Sequence, residues 1–129
     1  MRPTIVIDAN PIISALIGGF SKEIIFNHHF DFITARFTIN EVIKFILYIS
    51  KKSGVSEDFI RTLVTILPLK VCELEEYKTM ISKAESLLTD KNDVHILALA
   101  LAKNFPLWSN DKHFENIKEI KLIKTKDFV

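Results

Sequence analysis

The chain has 129 residues, 48% of them hydrophobic and 26% charged, with a formal net charge of +1. This excludes a disordered chain and leaves room for one domain with a sizeable core, read as residues 1–129, but not for two ordinary ones. No strong basic field marks a nucleic-acid partner, and the single cysteine, Cys72, excludes an internal disulfide.

Apolar stretches are interrupted by Lys44 or Lys103 well before a membrane-spanning length, so no membrane partner is expected. The N-terminus runs directly into an apolar segment without a signal peptide, and a cytoplasmic protein is expected. Thr4-Ile5-Val6-Ile7 is β-branched throughout, which suits a strand buried on both faces of a parallel sheet. Asp8 ends it. Asn10 is placed to cap the helix that follows, with Pro11 in its first turn and Ile12, Ile13, Leu16 and Ile17 facing inward.

Gly18-Gly19 breaks that helix, and Ser21 is expected to cap a short second one carrying Ile24, Ile25 and His28. His28 and His29 face different sides of a helix and have no partner at i+4, which argues against metal ligation. A second strand is read at residues 31–35. Thr38 or Asn40 then caps a helix running through Phe45, Ile46 and Ile49 to Lys51-Lys52, with Glu41 in its first turn and Gly54 as its stop. Ser56 caps another helix, which Pro68 ends, and Leu69 to Cys72 reads as a third strand.

Glu73 to Leu88 has helical spacing at Leu74, Tyr77, Ile81, Ala84 and Leu88. Asp90 is read as a cap, and the segment from Val94 to Ala102 is apolar almost all round, so it should be the most buried helix. Residues 106–109 and 120–123 read as the last two strands. The alternation predicts an α/β fold, a three-layer α/β/α sandwich around a mainly parallel sheet with residues 4–7 at its centre.

Four acids share a position in this scheme. Asp8 and Asp111 follow strands, while Glu41 and Asp93 open helices. In open α/β sheets the ligand crevice lies at the carboxyl ends of the strands. Four carboxylates gathered there repel one another unless a cation joins them, and an all-oxygen set suits Mg²⁺ or Mn²⁺ rather than Zn²⁺. Such an ion activates water and stabilises charge on a phosphoryl group. The reading therefore runs from acids to a hard metal to phosphodiester hydrolysis.

At these residues the chain resembles the PIN-domain ribonucleases over nearly its whole length. Ile7-Asp8-Ala9-Asn10 is similar to the family's opening strand and first acid, and Asn40-Glu41 to its glutamate. Residues 90–100 are similar to its third acid and buried helix, and residues 107–114 to its final block. The resemblance implies a PIN-like fold and Mg²⁺- or Mn²⁺-dependent cleavage of single-stranded or structured RNA. It further implies a homodimer and an antitoxin protein as partner. Asp8, Glu41, Asp93 and Asp111 are the expected metal-binding and catalytic residues. Asn10, Ser109 and Asn110 are expected to support them through hydrogen bonds, and Lys112 and His113 to meet phosphate. The rival reading is a non-catalytic RNA-binding or scaffold module. Four intact acids argue against it, since a phosphate-binding surface has no use for them.

Overall fold

The structure, a computed structural model, describes residues 2–27 and 29–128. The β-branched run forms β1 (Thr4–Ile7), central in a five-stranded sheet. Its partners are β2 (Asp31–Ala35) on one side and β4 (Leu107–Trp108) on the other. β3 (Leu69–Cys72) lies outside β2, and β5 (Leu122–Ile123) outside β4. Every pairing is parallel. The chain therefore builds outward on one side of β1 and then crosses back to build on the other.

Alternate residues of β1 enter two cores, as the period of two demands. Ile5 and Ile7 pack with α1 (Ala9–Ile17), α2 (Ser21–Ile25), α3 (Arg36–Lys44), α4 (Ile46–Ser53) and α5 (Glu57–Ile66). Val6 packs on the other face with α6 (Ile81–Leu87) and α7 (Lys91–Lys103). The layers are those of the expected α/β/α sandwich. Asp93, Val94 and every residue from Ile96 to Ala100 of α7 are buried, as its apolar sequence requires.

Several element boundaries depart from the sequence reading. Asp8, not Asn10, caps α1, accepting a hydrogen bond from the Ala9 N–H. Ser21 opens α2 without a capping bond, and His28 lies outside the described residues. Helix α3 starts at Arg36, behind an Ala35 cap that makes no side-chain bond, so Glu41 lies past its first turn. The expected continuous helix through Phe45 breaks there, with Phe45 at φ −93°, ψ 12° between α3 and α4.

The segment from Glu73 to Leu88 is not one helix. Glu73 and Glu76 close a capping box around a 3₁₀ turn at 74–76, a second turn covers 78–80, and only Ile81–Leu87 is α-helical. The box satisfies backbone donors locally, so the chain has no need to propagate a helix from Glu73. Gly54, the expected stop, and Asn104 at the end of α7 both stand in the left-handed region, at φ 74° and 56°.

Candidate active site

Asp8 leaves the end of β1 with both carboxylate oxygens engaged. Oδ1 accepts from Ala9 N at 2.8 Å, and Oδ2 accepts from the Ser109 hydroxyl at 2.7 Å. Ser109 follows β4, whose pairing with β1 continues through Asp8 N–H to Trp108 O. Ser109 is fully buried, and its Oγ also accepts from Asp111 N at 3.0 Å and from Asn10 Nδ2 at 3.4 Å. Released from capping, Asn10 uses Oδ1 to accept the Asn110 N–H at 3.2 Å. The two central strands are thus stitched together at their carboxyl ends by side chains from both. Asn110 turns its amide to Thr125, giving Nδ2 to Oγ1 at 2.8 Å and taking the Thr125 N–H at 2.9 Å.

Asp93 comes from the first turn of α7, where an acid complements the helix dipole. It is buried, and its Oδ2 lies 2.7 Å from His113 Nδ1. Asp111 begins the 3₁₀ turn at 112–114, accepting the His113 N–H, and its Oδ1 lies 3.2 Å from the same Nδ1. His113, expected to face phosphate, therefore sits between two of the four acids. Asp90 is a cap as read, accepting from Asn92 N, with Oδ2 4.0 Å from His113 Nδ1. One ligand atom from each of Asp90, Asp93 and His113 falls within 4.8 Å of the others. Glu41 comes from α3, its Oε1 3.5 Å from the exposed Lys44 Nζ. Lys112 is exposed beside the turn.

Asp8, Glu41, Asp93 and Asp111 line one cleft of about 320 Å³, with Asn10 and Phe45 among its other walls. Larger hollows elsewhere contain none of these acids. Burial pushes the Asp8 carboxyl up from 3.8 to about 6. The bonds from Ser109 and Ala9 pull it partly back, and the charges of Asp93 and Asp111 push it up further. Burial likewise raises Asp93, against the hydrogen bond from His113, and that same bond raises the His113 imidazole. Carboxylates raised by burial and by one another are sites that a bound cation relieves, so the donor set fits a divalent metal.

Phe45 is the cleft residue that the sequence reading placed elsewhere, inside a continuous helix. A signal was present: in Phe45-Ile46-Leu47-Tyr48 four consecutive large apolar side chains cannot all face one core. His95, two residues beyond Asp93, is stacked on Phe37 at 4.1 Å between ring centres, and its Nδ1 lies 2.7 Å from the Tyr77 hydroxyl. Trp108 is fully buried, giving Nε1–H to Thr125 Oγ1.

A parallel α/β/α sandwich with four acids around the strand ends defines a class of acid-cleft α/β proteins. Residues 6–124 match the PIN domain family, and the chain belongs to it. The ribonuclease VapC1 of Methanocaldococcus jannaschii is 46% identical over 41 residues, an alignment covering 31% of this chain and 30% of that relative. The fold is shared with a structure of VapBC2 from Rickettsia felis bound to a promoter DNA fragment. That likeness has a TM-score of 0.68 at 16% identity, covering 94% of this chain and 98% of that one. A toxin–antitoxin complex from Klebsiella pneumoniae gives 0.68 at 18% identity, covering 92% and 95%.

Proposed function

We propose that this chain, as a single domain, is a metal-dependent endoribonuclease that hydrolyses RNA phosphodiester bonds, and that it is the toxin of a toxin–antitoxin pair. The observation that carries this reading is one cleft lined by Asp8, Glu41, Asp93 and Asp111, with Asp8 buried at its floor. Those four acids would hold Mg²⁺ or Mn²⁺. When bound, such an ion lowers the pKa of its water and offsets charge developing on the phosphoryl oxygens.

The chain's own contribution is positioning. Ser109 fixes Asp8, Asn10 ties that pair to Asn110, and the His113 imidazole orients Asp93 and Asp111. With Nδ1 so engaged, Nε2 of His113 is the nitrogen left for a phosphate oxygen, and the exposed Lys112 ammonium offers a second contact.

An antitoxin has a suitable seat in the apolar groove of about 540 Å³ lined by Leu16, Phe26, Val55, Phe59 and Leu63. Exposed Leu47, Tyr48 and Ile66 on α4 and α5 support a homodimer. The test is incubation of the purified chain with single-stranded and structured RNA in Mg²⁺ or Mn²⁺. Internal cleavage abolished by EDTA and by Asp8→Asn is the expected result. Retained RNA binding without cleavage would instead mean a non-catalytic RNA-binding or scaffold module.

A further inference from the structure

Among the described residues, Phe45 is the exposed large hydrophobic side chain that lines the acid cleft; the others lie elsewhere on the surface. It is 48% exposed and belongs to neither core cluster, whereas its neighbour Ile46 and, one turn on, Ile49 are buried. The break between α3 and α4 falls on this residue. Phe45 N–H bonds to Val42 O, so the last turn of α3 is tightened and the ring follows Glu41 by four residues. Residues four apart share a helix face, which is how an acid and an aromatic ring come to one wall of the cleft.

A ligand for this wall must bring negative oxygens to the acid cluster through a cation and a flat apolar face to the ring. A nucleotide has both, a phosphate and a base joined by a sugar. A base within a duplex is already stacked on its neighbours, so only an unpaired nucleotide can offer its face. We infer that Phe45 is a stacking platform for an unpaired base next to the scissile phosphate. The inference rests on the nuclease reading above. Stacking is indifferent to which base is presented, so Phe45 sets the register of cleavage along the strand rather than its sequence.

The test uses the purified full chain, Phe45→Ala, Phe45→Trp, and a single-stranded RNA carrying one abasic residue at each position in turn. Phe45→Ala is expected to raise KM about 5- to 150-fold, the range for loss of one base–aromatic stack. The metal-induced rise in melting temperature should stay unchanged, and Phe45→Trp should restore KM. On the wild-type chain one abasic position beside the cleavage point should raise KM by a similar factor. On Phe45→Ala that same position should add nothing, because both changes remove one interaction. An unchanged KM in Phe45→Ala overturns the platform while leaving the nuclease reading intact, as does an abasic penalty that persists undiminished. So does an effect confined to oligomeric state. No cleavage by the wild-type chain removes the nuclease reading and the platform with it.

Discussion

The two walls of the acid cleft are built by different physics. On one side Asp8 is buried and held by two hydrogen bonds, in a mesh that joins Asn10, Ser109, Asn110 and Asp111. On the other, Glu41 rides a helix with its side chain 17% exposed, and its Oε1 lies 3.5 Å from the exposed Lys44 ammonium. A buried, fully bonded carboxylate is fixed in place by directional bonds, while Glu41 is held by its packing beside a weak ion pair. The mesh wall fixes its acid through hydrogen bonds, and the helix wall through packing.

Replacing Asp8 by Asn breaks the mesh wall most severely. RNA cleavage should fall by at least about 100-fold, the upper end of what loss of a ligand-supporting group costs. Stability without metal should move the other way. The folded carboxyl binds its proton up to about pH 6, the unfolded one only to 3.8. The folded state therefore holds more protons in that window, and Asp8's contribution to stability declines as pH rises through it and stays low above. At neutral pH the ionised group costs roughly 3 kcal/mol, which Asn escapes, less the bond lost where its Nδ2 replaces an accepting oxygen. Melting curves in EDTA from pH 4 to 8 should show wild type losing ground to the variant across that interval. Parallel curves would refute the burial of Asp8.

Ser109→Ala keeps all four acids but removes the hydroxyl that holds two of them. It should cost about 1–3 kcal/mol, since the Asp111 N–H and an Asp8 oxygen lose a buried partner. The Asp8 carboxyl should rise further, because a bond that lowers it is gone. Denaturant unfolding and NMR titration of the Asp8 carboxyl measure the two effects.

Glu41→Gln should sharpen the contrast. Metal-free stability should stay within about 1 kcal/mol, since Gln keeps the packing of a side chain whose ion pair is weak. The stabilisation by millimolar Mn²⁺ should shrink, and a tenfold loss of affinity removes ~1.4 kcal/mol of it. An unchanged metal-induced shift would take Glu41 out of the ligand set. Smallest of all is Lys44→Ala, which deletes an ion pair whose ammonium is well exposed and should change melting by under about 0.5 kcal/mol.

What the sequence made legible follows from where its signals are strong. Residues 4–7 and 31–35 are short, largely apolar runs, and α7 is apolar almost all round from Val94 to Ala102, so their placement was readable. Helix α3 was misplaced because Ala35 caps it without a side-chain bond, and no residue type advertises such a start. The break at Phe45 carries neither glycine nor proline. The Glu73–Glu76 box was hidden because its apolar spacing also fits a helix.

Among the cleft residues, the sharing of one edge by the four acids was readable because strand ends in a parallel sheet lie together. The mesh was readable only as a set of turn formers, since the bond from Asn10 to Ser109 spans 99 residues and no local pattern encodes it. The position of His113 between Asp93 and Asp111 was equally invisible, being fixed by how a 3₁₀ turn meets the start of α7.

The bond between Ser109 and Asp8 links positions 101 residues apart. Contacts of such separation form only after the intervening chain exists and has been drawn together. During synthesis the ribosome first makes Asp8, Glu41 and Asp93, with no β4 beside β1 to complete the cleft. The acid cleft is therefore incomplete for most of the chain's own translation and is assembled only when residues 107–111 dock. The order of the strands is thus also a timer, leaving the acid edge unassembled while the chain is still being made.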